Sequence, residues 1–149
     1  MIFKHFTPAL LALALLQACS NGSGGQPAAP SSLTVVPTAT PEGAPGEMNI
    51  LRFRVTLTEP QARDVDINYE TTANTATAGE DYLDTAGSIS IPAGALDGYI
   101  EVELIGDAQV EPRETFTLSF STSSNALATN DTAIGTIAND DTSCDAPFA

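Results

Sequence analysis

The chain has 149 residues, with 19 acidic and 5 basic side chains, for a formal charge of −14. That length suits one domain rather than two. So negative a surface repels nucleic acid and anionic membrane, and it suits cations.

Lys4 and His5 give a short basic start, and Ala9 to Leu16, ALLALALL, is an eight-residue apolar run. That is too short to span a bilayer as a helix and matches the core of a secretory signal. The run ends in LQAC, Leu16 to Cys19. A small residue before a cysteine, directly after the apolar core, resembles a bacterial lipobox. The resemblance implies a signal peptide over 1–18, removed before Cys19, and a lipid on Cys19. An ordinary signal peptide cut near Ala18 is the alternative, and both export the protein. Residues 20–32, SNGSGGQPAAPSS, are rich in Gly, Ser and Pro and read, with Cys19, as a flexible tether over 19–32. Such a tether reaches at most ~45 Å and averages roughly 20 Å as a coil. The expected location is the bacterial cell envelope, held to a membrane by the lipid anchor. Ser20 lacks the acidic character that often marks inner-membrane retention, so the outer membrane is favoured by resemblance.

Signal removal also limits the chemistry. Lys4 and His5 are the only lysine and histidine, so their loss takes the charge from −14 to −15 and leaves neither residue type, nor any Trp. No Ser–His, Ser–Lys or Cys–His arrangement can form. Two carboxylates could still hydrolyse a glycoside, but that chemistry needs a cleft and aromatic platforms, and few rings lie outside the expected core. The chain reads as a non-enzyme. Cys144 is a single thiol in a polar tail, 142–149, and has no internal partner for a disulfide.

From Leu33 onward the apolar pattern has period two. SLTVVP supplies a weak first strand. LRFRVTLT sets Leu51, Phe53, Val55 and Leu57 on one face and Arg52 and Arg54 on the other, where acids across the sheet are their expected partners. DVDINYE, GSISIPAG, YIEVELI, TFTLSF and AIGTIAND repeat the alternation with turn signals between them. The pattern predicts an all-β domain over 33–141, a seven-stranded antiparallel immunoglobulin-like sandwich. Its expected core is Val35, Phe53, Val55, Leu57, Ile67, Tyr69, Ile89, Ile91, Ile100, Val102, Leu104, Phe116, Leu118, Phe120 and Ile137.

Acids fall at the strand ends. Glu42 lies between the first two strands, Asp107, Glu111 and Glu114 lie before the sixth, and Asp140 and Asp141 follow the seventh. A sandwich of this connectivity can bring those three segments to one pole. Two carboxylates ~5 Å apart repel by about 3 kcal/mol at an effective dielectric of ~20. A calcium ion, with six to eight oxygen ligands, relieves that repulsion. Without histidine, and with one thiol, a transition-metal site is disfavoured. Spacing alone favours acids in solvated loops over a calcium site.

Longer stretches carry a resemblance. EPQARDVDINYETTANTATAGEDYLDTAGSISIPAG, IEVELIGDAQVEPRETFTLSFS and GTIANDD follow one another in order. They resemble the Calx-beta domain, most specifically in TATAGEDY, in Ile91–Pro92–Ala93–Gly94, in the D-x-x-x-E-x-x-E-x-F spacing from Asp107 to Phe116, and in the closing GTIANDD. The resemblance implies a calcium-binding pole with Glu42, Asp107, Glu111, Glu114, Asp140 and Asp141 as ligands, the Gln109 backbone carbonyl taking part, and Asn139 offering a side-chain oxygen. Departures stand at Ala73 and Gly106, where calcium-binding members carry acids, at Asn139, which opens what is often a run of three acids, and at Arg113, a positive charge among the ligands. They point to one retained ion. In TATAGEDY, Asp81 is expected to accept backbone N–H groups in a turn, Gly79 to adopt an unusual backbone conformation, and Tyr82 to pack on the sandwich edge. The expected protein is a lipid-anchored envelope protein whose calcium-binding module orders its loops and mediates binding or adhesion to an envelope or extracellular protein. A metal-free docking scaffold with a decayed site is the alternative.

Overall fold

The computed structural model describes residues 31–122 and 126–142. The signal peptide, Cys19, most of the tether and Cys144 lie outside the described residues. Alternating apolar residues generate the strands β1 (Ser31–Val35), β2 (Thr38–Pro41), β3 (Ile50–Leu57), β4 (Val65–Ala73), β5 (Ala86–Ile91), β6 (Asp97–Glu103), β7 (Glu114–Thr122), β8 (Ala126–Ala128) and β9 (Thr132–Ala138). They form two sheets, β6-β3-β1-β8 and β2-β9-β7-β4-β5.

Nine strands therefore replace the expected seven. The first predicted strand, SLTVVP, forms β1 and ends before Val36 and Pro37, and an unpredicted strand, β2, follows at once. β1 pairs with β3 and β8, while β2 crosses to the other sheet and pairs with β9. Proline has no N–H to continue a ladder, so the chain can change sheets there. Ser31 and Ser32, read as the end of the tether, already pair with Ala126 and Leu127 as part of β1. The short β8 carries no alternation that would mark it in the sequence. The fully antiparallel expectation also needs correction, because β1–β8 and β2–β9 run parallel.

Thirteen of the fifteen expected core residues are buried, and Tyr69 and Ile89 are half-buried against them. The core also takes in Leu33, Leu51, Val65, Ala76, Tyr82, Ala126 and Ala133. Tyr82 is the largest correction. Rather than lying on an edge, it is 0% exposed. Its ring stacks on Phe116 at 4.5 Å between centroids, and Phe116 meets Phe53 edge-on at 6.0 Å. Phe53 belongs to one sheet and Phe116 to the other, so the three rings join both layers and the TATAGEDY loop. Arg52 and Arg54 find the expected cross-strand acids, Glu101 at 2.7 Å and Asp97 at 2.9 Å. These pairs are exposed and contribute little stability.

The Phe116 ring lies directly over Gly135 on the neighbouring strand. A Cβ at 135 would overlap the ring, with two further ring carbons at 2.7 and 2.8 Å. Tyr82 and Phe53 leave that ring nowhere to move. Gly135→Ala should therefore destabilise the domain by about 2–3 kcal/mol, the usual scale of overpacking, measured by urea unfolding.

Candidate metal centre

Strand directions bring the acids together. Because β2 and β9 run parallel, they end at the same pole, with Pro41 beside Ala138. The Glu42 N–H extends that ladder by donating to the Ala138 carbonyl at 3.2 Å. Antiparallel β7 starts at this pole, with Glu114 opposite Ile137. Alternation then decides where the side chains go. Glu114 is two residues before the buried Phe116, so it shares the inner face of β7. Just past the end of β9 at Ala138, Asn139 and Asp141 are half-buried, and the Asp141 Oδ2 is buried at this rim. The inner faces thus change from apolar to acidic at the rim.

Glu42 is 3% exposed, and its Oε1 is buried without a hydrogen-bond partner. Glu114 Oε2 and Asp141 Oδ2 are buried and unpartnered too. Burial pushes the Glu42 carboxyl up from 4.5 to about 7, helped by the negative charges of Asp107, Glu111, Asp141 and Asp140. Burial likewise raises Glu114 to about 7, followed by its contact with the Asp81 carboxyl and by the charges of Asp81, Glu111 and Glu42. Glu111 is raised by burial and then by Asp81, Asp107, Glu80 and Asp141. Arg113 is exposed, and every charge named as acting on these three glutamates is negative.

Asp107 moves the other way. The Gln109 side-chain amide donates to its Oδ2 at 2.9 Å and the Gln109 backbone N–H donates to its Oδ1 at 2.7 Å, which holds its carboxyl below the usual range. Gln109 is thus seen here as a clamp on Asp107. Asn139 forms a local turn with Asp141: its Oδ1 accepts from the Asp141 N–H at 3.3 Å, and its Nδ2 donates to the Asp141 carbonyl. Asp140 Oδ1 accepts from the Gly43 N–H at 3.3 Å, tying the end of β9 to the segment after β2.

The sequence reading missed Asp81 as a member of this group. One carboxylate oxygen each from Asp81, Glu111 and Glu114 lies within 4.8 Å of the others. The expected turn also forms, with the Thr77 N–H donating to Asp81 Oδ2 at 2.6 Å and Gly79 at φ +87°. Asp81 reaches the pole because Tyr82 is sunk in the core and because the Ile105 N–H donates to the Asp81 carbonyl at 2.9 Å. Its one sequence signal was an acid adjoining an aromatic residue.

The donor set is all oxygen. Buried carboxylates without donors are costly when ionised. A hard divalent cation removes that cost, and calcium accepts six to eight oxygens in irregular geometry. The orphaned oxygens of Glu42, Glu114 and Asp141 therefore fit such an ion, whereas no nitrogen or sulfur ligand stands among them.

The Calx-beta domain family matches residues 43–141, more than half of the chain. The chain belongs to the Calx-beta family. Among solved structures, this Calx-beta domain is similar to the apo-form Calx CBD1 domain, with a TM-score of 0.62 and 22% identity, over 74% of this chain and 98% of that one. It is similar to calcium binding domain CBD12 of CALX1.1 at a TM-score of 0.63 and 24% identity, over 73% of this chain and 46% of that one. The chain thus spans about half the length of that structure. The Calx CBD2 domain gives a TM-score of 0.52 at 16% identity, over 60% and 54% of the two chains. At these identities the likeness is one of fold. No curated protein matches the chain. Within this Calx-beta domain, Ala73 ends β4 as an exposed residue, and Gly106 is buried beneath the segment that follows Glu42.

Proposed function

We propose that this Calx-beta domain binds one calcium ion at the acidic pole, and that the ion orders the loops through which the protein meets a partner. The buried, unpartnered carboxylate oxygens carry this reading. Glu42, Asp81, Glu111, Glu114 and Asp141 would hold the ion, with Asp107 and Asp140 at its margin. Bound there, calcium would supply positive charge to a rim that otherwise holds mutually repelling acids. The apolar leader and LQAC support a lipid anchor on Cys19 and a place in the bacterial envelope, with the outer membrane favoured by resemblance. The partner would be an envelope or extracellular protein, and the module one that binds rather than catalyses.

Sites of extracellular type bind calcium at ~10⁻⁴–10⁻³ M. At ten times the dissociation constant, calcium stabilises the fold by about 1.4 kcal/mol. The melting temperature should then rise by roughly 5–10 °C between EGTA and such calcium. An unchanged melting temperature favours the second reading, a metal-free docking scaffold, which Ala73 and Gly106 support because both positions lack the acid usual in calcium-binding members.

A further inference from the structure

Residues 42–49 fold over the pole and are held from both sides. On one side, the Asn49 Nδ2 donates to the Pro41 carbonyl at 3.2 Å and lies against Gly43, where a Cβ would stand 2.7 Å from it. Gly43 also has φ +96°, a conformation L side chains resist. On the other side the segment rests on Gly106. A Cβ at 106 would overlap the Gly43 carbonyl oxygen and lie 2.7 Å from the Gly43 carbonyl carbon and 2.8 Å from the Ala44 oxygen. Those are backbone atoms, which cannot swing aside as a side chain can. The Glu47 N–H closes a turn on the Ala44 carbonyl at 2.9 Å, and the Asn49 carbonyl accepts from the Leu104 N–H at 2.8 Å. The segment is therefore a short strap whose two ends are fixed and whose middle is seated on a glycine.

We infer that Gly106 is a positioning residue: its missing side chain lets the Gly43–Ala44 backbone close over the pole, which sets the buried Glu42 carboxylate in place. The strap occupies the space into which a side chain at 106 would project. Gly106 is the seat of the strap, and an acid there would be harmful to calcium binding rather than helpful. The binding part of this inference rests on the calcium reading above, while the strap itself does not.

Charge count and strap seating give opposite expectations for Gly106→Asp. An added carboxylate alone would tighten calcium. A lifted strap would instead displace Glu42, so G106D and G106A should both bind calcium about tenfold more weakly than the wild type. In both, backbone amides 43–48 should exchange with solvent about tenfold faster in EGTA. Gly94→Ala serves as a control. Gly94 also has a left-handed φ, +82°, but has open space around it and lies at the opposite pole, so G94A should lose stability and keep the wild-type calcium affinity. If G106D does not fold, Asn49→Ala, which removes the other side of the clamp, should show the same faster exchange over 43–48. Calcium binding by G106D that is as tight as the wild type, or that takes up a second ion, would overturn the inference. Should the wild type bind no calcium, the calcium reading fails, and amide exchange decides the strap: unchanged protection of 43–48 in G106A removes it as well.

Discussion

Replacing Glu42 and Glu114 together by glutamine raises the melting temperature in EGTA and abolishes the rise that calcium produces. Both side chains keep their shape and lose their charge. In the calcium-free protein at pH 8, Glu42 and Glu114 are ionised although each has its carboxyl raised to about 7. Each faces other acids, and each has an oxygen with no donor. Removing both charges should stabilise the ion-free fold by about 2 kcal/mol, or roughly 10 °C, on the scale of close like-charge repulsion. The same substitutions remove two anionic oxygen ligands from a site that needs them, so calcium no longer shifts the melt. A metal-free scaffold gives only the first half of this result, because its wild type does not respond to calcium either. A double variant that melts lower than the wild type in EGTA would contradict the burial and repulsion argued for these residues. Differential scanning calorimetry of the two proteins, with and without calcium, distinguishes the outcomes.

The calcium-free protein should lose stability as pH rises from 5 to 8. The sign follows from the direction of the shifts. Glu42 has an ordinary value of 4.5 and a folded value of about 7, so the fold favours its protonated form. That contribution is fully present below 4.5 and is lost as pH rises through 7. For Glu42 the change is on the order of 3 kcal/mol. Glu114 acts in the same direction, its carboxyl raised to about 7 first by burial and then by the neighbouring Asp81 carboxylate. Asp107 works oppositely at lower pH: its carboxyl is held down by Gln109, so its contribution is present above the usual carboxylate range and disappears on further acidification. Saturating calcium should flatten or reverse the loss between pH 5 and 8, since the ion requires the ionised carboxylates, and its affinity should rise over the same interval. Urea unfolding at several pH values, in EGTA and in calcium, checks this. A calcium-free stability that climbs steadily from pH 5 to 8 is the contrary result.

Most of the sandwich was readable because its strands are half-buried. Leu51, Phe53, Val55 and Leu57 alternate with polar residues, and that pattern has one physical solution, a strand with one face on a core. What escaped was structure set by tertiary contact. The move of the chain from β1 to β2 across Pro37 depends on where β9 stands, and β8 is three residues with no pattern of its own. Tyr82 sits in a loop-like stretch, without neighbours that alternate, so only the stacked Phe116 ring reveals it as core. The acids show the same division. Their position at strand ends was visible, as was a shared pole. The depth of Glu42 was not, because it requires β2 to run parallel to β9. Asp81 was hidden by a turn role that it does have, through the Thr77 N–H. Gly106 was visible as a missing acid, but its reason, the backbone of Gly43 and Ala44 lying against it, is a contact across more than sixty residues of sequence.

The inward-facing acids at one end of the sandwich are proposed to form a site for a divalent ion. Isothermal titration of calcium into the EGTA-stripped and dialysed protein at neutral pH tests it most directly. Saturable binding of a single ion in the sub-millimolar to millimolar range is expected, with protons released from the Glu42 and Glu114 carboxyls, so that the heat varies with the ionisation enthalpy of the buffer. Absence of any saturable heat, together with an unaltered amide spectrum up to millimolar calcium, would contradict it.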